Sequence, residues 1–326
     1  MQIKDIKKLN KNDQVSGHFL LSSVTVKTAS NGSQYLDISM QDKTGTLPLK
    51  VWSATPENIE QFVQGSVVYI QTVLDEFKGT KQIAINPNNS AQVITLMPES
   101  DPLSKKSLYM EIAPLTKEQL QDEVNELLLQ VDNEIWNRVL REFLTQSGKE
   151  YFEFPAAKSI HQAYPGGLAW HSILVAKLAL SIADNYPDEM INRSLLIAGA
   201  LLHDAGKIRE LSITGGTSYT VAGTLIGHIV ISDEIVVKIV EKLGYNQDAE
   251  DVILLRHMIL SHQGKLEWST PVEPETLEAF ILSQADNIDA KIQSIQGALT
   301  NTEPGDFSEK VFAADGKKYY KATDNH

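Results

Sequence analysis

The sequence contains no cysteine, which removes disulfides and thiolate metal sites and fits, without requiring, a reducing interior. It also lacks any run approaching the roughly 20 apolar residues needed to span a bilayer. No apolar stretch of the kind found in a signal peptide follows the charged start Met-Gln-Ile-Lys-Asp-Ile-Lys-Lys. No membrane is therefore expected, and the cytoplasm is the default location. Arginine is missing from residues 1–95, which carry nine lysines against eight acidic residues, a net of +1. The formal charge of −13 comes from the remainder, with 20 basic against 34 acidic residues. An overall acidity that would argue against a nucleic-acid partner thus says little about the N-terminal part. What is present, 42% hydrophobic and 22% charged residues over 326 positions, suffices for about two globular domains.

Between residues 15 and 94 the sequence runs in short alternating segments, at 18–27, 35–40, 46–52, 66–73 and 81–85, which predict five strands. Asn31-Gly32 and Asp42-Lys43-Thr44-Gly45 supply turn chemistry between paired strands. Residues 56–64 read as one helix between the third and fourth strands. The order resembles an OB-fold, whose barrels commonly carry single nucleic-acid strands on exposed aromatics and a basic track. Lys27, Tyr35, Lys50, Trp52 and Lys81 are the candidates for that contact; the alternative is a structural barrel with its aromatics in the core. Residues 96–113, with Pro98 and Pro102, read as a linker.

From 114 to 310 the periodicity is helical. Thr116 and Gln119 make a capping box, and Leu120, Val124, Leu127, Leu128 and Val131 share one face. Ile135, Val139, Leu140 and Phe143 make the next stripe, and neither helix needs chemistry to explain it. Residues 311–326 are expected to form a loosely ordered tail. The predicted architecture is a small five-stranded OB-type barrel over 1–95 followed by an all-α bundle.

Six of the eight histidines lie between residues 161 and 262. The stretch from 195 to 210, Leu-Leu-Ile-Ala-Gly-Ala-Leu-Leu-His-Asp-Ala-Gly-Lys-Ile-Arg-Glu, delivers His203 and Asp204 side by side from an apolar helix. Burying that pair is costly unless both find partners. His161, His171, His228, His257, His262 and Asp286 also sit on or beside apolar stripes. Any one of them could be an ordinary hydrogen-bonded core residue, but several buried polar groups on separate helices each require a partner. One shared metal cluster satisfies them together, and nitrogen and oxygen donors suit Mn, Fe, Co, Ni or Zn.

The motifs then become specific: Tyr164-Pro-Gly-Gly-Leu-Ala-Trp-His171, Leu201-Leu-His-Asp-Ala-Gly-Lys207, Leu225-Ile-Gly-His228 and Met258-Ile-Leu-Ser-His262-Gln-Gly, with a distant Asp286. This series resembles the HD-domain metal-dependent phosphohydrolases in their binuclear branch. Behind an OB-type barrel, and over essentially the whole chain, it resembles the YhaM-type 3'-5' exoribonucleases. The resemblance implies a first divalent ion on His171, His203, Asp204 and Asp286. It implies a second on His228, His257 and His262, with Asp204 as the bridge, and manganese foremost among candidates that also include Co, Fe, Ni, Zn and Mg. It further implies hydrolysis of single-stranded RNA from the 3' end, with single-stranded DNA as a second substrate candidate and a homo-oligomer left open. Two other functions fit the same residues: hydrolysis of a cyclic dinucleotide or a nucleotide, and single-strand binding with a purely structural metal.

His257 and His262 are five residues apart, about 140° around an ideal helix, so both face one cluster only if the helix ends near Ser261, where Gly264 makes an end plausible. Gln162 and Gln263 stand where the family pattern often has a second histidine. Lys207, on the face of His203 and Asp204 if the helix continues, is a candidate phosphate clamp, the alternative being a cap on helix-end carbonyls. His161, ahead of the Pro165-Gly166-Gly167 turn, is a candidate proton donor to the leaving oxygen or a substrate contact. Asp289, one turn beyond Asp286, is placed to support a ligand.

Overall fold

The computed structural model describes residues 1–86, 89–110, 112–157, 162–187, 190–213, 217–300 and 302–323. The chain divides into two units, Met1–Glu111 with Ile213–Thr217, and Ile112–Ser212 with Ser218–His326.

Strict alternation makes the first unit a barrel. In β2 (Gln34–Asp42) Leu36, Ile38 and Met40 turn inward while Tyr35, Asp37, Ser39 and Gln41 stay partly exposed, the period of two that a half-buried strand requires. β1 (Gln14–Thr28) is long enough to pair with β2 through its second half and with β4 (Val67–Phe77) through its first. An irregularity between Leu21 and Ser23 bends it between the two. β3 (Gly45–Val51) pairs antiparallel with β2 and parallel with β5 (Thr80–Ile85), which pairs back to β4. The β1–β4 pairing closes five strands into the expected barrel. Phe19, Leu36, Met40, Leu49, Ile70 and Ile83 fill it, together with Ile3 and Ile6 of α1 (Ile3–Ile6). α2 (Pro56–Gln61) lies between β3 and β4 and starts on a Thr55 capping box.

Two features differ from the sequence reading. A sixth strand, β6 (Val93–Leu96), adds to β4. Residues 96–110 are not a free linker: after two short 3-10 turns Tyr109 is buried beside Leu20 and Val67, with its hydroxyl donating to Leu103 O at 2.7 Å. One aromatic anchor is enough to fasten a segment whose prolines alone suggest an unpacked connection.

The second unit is helical: α3 (Lys117–Leu128), α4 (Glu134–Tyr151), α5 (Gly167–Ala183), α6 (Arg193–Leu202), α7 (Lys207–Glu210), α8 (Val221–Leu225), α9 (His228–Leu243), α10 (Glu250–Ser261) and α11 (Leu277–Thr300). The Thr116–Gln119 capping box forms as expected, with Gln119 Oε1 accepting from Thr116 N at 2.9 Å. α6 is apolar on every side and buried from Leu195 to Leu202, which marks it as the central helix; it packs against α4, α5, α10 and α11. A two-residue hairpin, β7 (Leu211–Ser212) with β8 (Ser218–Tyr219), is the one sheet among the described residues of this unit. No helix among the described residues is long and apolar enough to cross a membrane.

Between residues 302 and 323 the chain is ordered, although a loose tail was expected over 311–326. Phe307 bridges Tyr320 and Val311 bridges Lys317, while Ser308 is buried and its Oγ accepts from Tyr319 N at 3.0 Å. The intervening turn, Phe312–Ala314, packs on α11 through buried Ala314. Burial of small residues left no periodic signal to read.

Candidate metal centre

The central helix ends where the chemistry begins. His203 is the C-cap of α6, its N–H donating to Gly199 O, and Asp204 follows directly. Four other elements converge on this point. α5 brings His171, the first residue of α9 is His228, the C-cap of α10 is His262, and α11 carries Asp286 and Asp289. Gly206 permits the approach of α9: a Cβ there would lie 2.2 Å from His228 O and 2.7 Å from Ser232 N. Ser232 Oγ instead accepts from Gly206 N at 2.7 Å.

All four imidazoles are tied down by the same nitrogen. His171 Nδ1 sits 2.7 Å from Asp289 Oδ2, His203 Nδ1 2.8 Å from Ala200 O, His228 Nδ1 3.0 Å from Glu210 Oε1 and His262 Nδ1 2.7 Å from Ile259 O. Each partner only accepts, so each Nδ1 carries a proton and each Nε2 is the nitrogen turned toward the cluster, the arrangement that carboxylate and carbonyl partners impose on metal-ligating histidines. The four Nε2 atoms surround one carboxylate. Asp204 Oδ2 lies 3.5 Å from that of His171 and 3.3 Å from that of His203, and Oδ1 lies 3.3 Å from His228 and 3.8 Å from His262. Asp286 Oδ1 is 3.1 Å from His171 Nε2.

Asp204 Oδ1 and His228 Nε2 are buried, face each other and have no hydrogen-bond partner. Two acceptors so placed repel one another unless a cation lies between them. Two donor sets, His171 with His203 and Asp286, and His203 with Asp204 and His262, each bring their ligand atoms within 4.8 Å of one another. The residues thus fit the bound divalent metal that an HD-type cluster implies.

The electrostatics agree. Burial works against ionisation of Asp204, but Lys207, with Nζ 2.7 Å from Oδ2, and His203 hold the carboxyl well below its ordinary range. Asp286 is likewise held low against its burial, chiefly by His171. Burial and the neighbouring His203 push His262 down to about 4, so it is neutral and ready to donate its lone pair. His171 goes the other way: burial lowers it, yet Asp286 and Asp289 raise it to about 10. Without metal it is therefore protonated at neutral pH, and a cation must displace that proton. Apparent metal affinity should rise about tenfold per pH unit between pH 6.5 and 8.5, which titration calorimetry in buffers of different ionisation heat would check. An affinity independent of pH across that window would contradict the assignment.

The remaining expected site residues are placed as follows. His257 does not join the cluster; its Nε2 accepts from Glu275 N at 3.0 Å. α10 stays regular to Ser261, so the 140° between the two histidines persists and only His262 turns inward. Lys207 begins α7 and does reach Asp204. Asp289 orients His171 as anticipated. His161 lies outside the described residues. Glu210 was missed: it accepts from both the N–H and Nδ1 of His228. Its one sequence signal, a carboxylate at the far end of the short segment that begins with Lys207, is common on ordinary helix surfaces.

Within the barrel unit, Tyr35 and Trp52 are outward neighbours with ring centroids 4.6 Å apart, and Lys50 Nζ lies 5.3 Å from one ring and 5.9 Å from the other. Neither ring belongs to the barrel core. Lys27 pairs with Asp37 on the same face. Lys81 is engaged elsewhere, donating to Lys7 O and Leu9 O at 2.7 Å each.

A family model described as the HD domain matches residues 168–291, the span holding every cluster residue described above. The 3'-5' exoribonuclease YhaM of Listeria monocytogenes serovar 1/2a is 37% identical over 306 residues, 94% of each chain. The protein of the same description from a Geobacillus species is 36% identical over 95% of this chain and 92% of its own. That of Bacillus licheniformis is 36% identical over 95% of each. With such identity along almost the full length of both partners, this chain belongs to the YhaM 3'-5' exoribonuclease family and is a hydrolase with a metal-dependent HD domain.

Proposed function

We propose that this protein shortens single-stranded RNA from its 3' end, in the cytoplasm, by hydrolysis at two divalent cations, manganese being the first candidate. The first cation would be held by His171, His203, Asp204 and Asp286. The second would be held by His228 and His262, with Asp204 shared. The observation that carries this reading is the convergence of four imidazole Nε2 atoms on both oxygens of Asp204. When bound, such a metal pair supplies activation of water and neutralisation of charge on the phosphoryl oxygens.

The chain's own residues do the rest. Asp289, Glu210 and the carbonyls of Ala200 and Ile259 fix the four rings, so no reorganisation is needed at the moment of reaction. Lys207, largely buried beside Asp204 at the wall of the cavity, would turn its ammonium from that carboxylate onto a phosphate oxygen. In the barrel, the Tyr35–Trp52 pair and Lys50 offer a stacking and charged track for the strand.

The test is to strip the protein of metal, supply an end-labelled oligoribonucleotide, and add back Mn²⁺, Co²⁺ or Mg²⁺. A ladder shortening stepwise from the 3' end, and lost in Asp204→Ala, is expected. Untouched RNA with every metal, alongside strand binding, would mean that the cluster is only structural. For the barrel, Trp52→Ala should weaken binding of a long single strand by about tenfold while leaving hydrolysis of a dinucleotide at the wild-type rate. Equal losses on both substrates would show that Trp52 serves the fold.

A further inference from the structure

The cavity that opens onto the metal cluster, about 190 Å³, is walled in part by Gln263, Trp268 and Asn287, none of which has a role so far. Trp268 is 41% exposed, so it is not a core residue. Its loop is nevertheless held firmly. Gly264, at φ +86°, turns the chain out of α10 at a point where a Cβ would meet Ser283 Oγ at 2.4 Å. Buried Thr270 Oγ1 lies 2.8 Å from Leu260 O and 3.0 Å from Val272 O, and Trp268 N donates to Lys265 O at 2.9 Å. His257, displaced from the cluster, fastens the far end of the same loop by accepting from Glu275 N. Lys265 Nζ lies over the indole, 4.9 Å from the ring centroid, without itself lining the cavity.

A large exposed ring, fixed on an anchored loop at the wall of a phosphodiesterase cavity, has the properties of a stacking platform. We propose that Trp268 stacks against the 3'-terminal nucleobase of the RNA, and that the uncharged amides of Gln263 and Asn287 hydrogen-bond the same terminal nucleoside. This rests on the exoribonuclease reading above and adds to it the subsite for the residue being removed. Every base has a π-face, so such a platform grips the end of the chain without selecting its sequence, as stepwise removal of successive residues requires. Neutral amides match sugar hydroxyls and base edges, both of which donate and accept. Lys265, over the indole, adds positive charge beside the ring that the base would cover.

The test uses the metal-stripped full chain, which is expected to bind RNA without cutting it, and an oligoribonucleotide carrying 2-aminopurine at its 3' terminus. Wild-type protein should quench the probe by stacking. Trp268→Ala should lose the quench and bind about tenfold more weakly, and Trp268→Phe should retain most of both. With the probe at the 5' end, the signal should not depend on residue 268. Bound metal measured on reloaded Trp268→Ala should equal that of the wild type, showing that the fold and the cluster survive. Equal quenching and affinity in wild type and Trp268→Ala would overturn the subsite, and the exoribonuclease reading would stand if the wild type still shortens RNA with Mn²⁺. RNA left intact by the wild type with every metal would remove that reading and the subsite with it.

Discussion

Asp204→Asn should lower the rate of RNA hydrolysis by about a thousandfold and deplete the protein of bound metal. Asp204 is the carboxylate around which the whole cluster is arranged, within 3.8 Å of four imidazole Nε2 atoms and 2.7 Å from Lys207 Nζ. It is 2% exposed, so no water can substitute for the lost charge. A thousandfold loss corresponds to about 4 kcal/mol of lost transition-state stabilisation at about 1.4 kcal/mol per decade, the several kcal/mol that charge stabilisation by a bound metal is expected to supply. The amide keeps the volume of the carboxylate, so the helices around it should stay packed and the loss should appear in metal content and turnover. Steady-state hydrolysis and elemental analysis on the same preparation check this; activity within tenfold of wild type would contradict it.

Asp289→Ala should reduce metal affinity by about 10–100-fold, the usual consequence of removing the partner that orients a ligating histidine. Asp289 is buried and its Oδ2 is 2.7 Å from His171 Nδ1. Without it the ring keeps neither its tautomer nor its angle, and a buried N–H loses its acceptor. Asp289→Asn, whose amide oxygen can still accept from Nδ1, should fall between the two. Glu210→Ala should have the same effect from the opposite side, through His228. Competition with a chelator of known affinity measures both, and unchanged affinity in Asp289→Ala would show that backbone packing alone orients His171.

These residues differ in how visible they were in the sequence. His171, His203, Asp204, His228, His262 and Asp286 stood out as candidates because each sits on or beside an apolar stripe, where a polar group needs a partner; the same signal marked His161 and His257, and only the resemblance to the HD-domain phosphohydrolases made them a ligand set. The barrel was legible for a related reason: alternation such as that from Tyr35 to Met40 fixes which side chains turn inward. Glu210 and the sixth strand left weaker marks. A carboxylate after Lys-Ile-Arg is what any solvated helix shows, and Val93–Leu96 is only four residues long. His257 looked like a ligand by its company, but the regular helix from Glu250 to Ser261 settles its direction. What it does, bonding Glu275 N, depends on a residue 18 positions away that no local pattern points to. Tyr109 and Ala314 were read as linker and tail because single burial events in irregular chain carry no period.

The central claim is that six side chains, with Asp204 shared between the two ions, hold a metal pair. Anomalous diffraction from a crystal of the manganese-loaded protein, recorded on both sides of the manganese absorption edge, tests it most directly. The predicted result is two peaks flanking the Asp204 carboxylate, one beside His171, His203 and Asp286 and the other beside His228 and His262, with none at His257. A single peak that does not touch Asp204, or a second one coordinated by His257, would contradict the account.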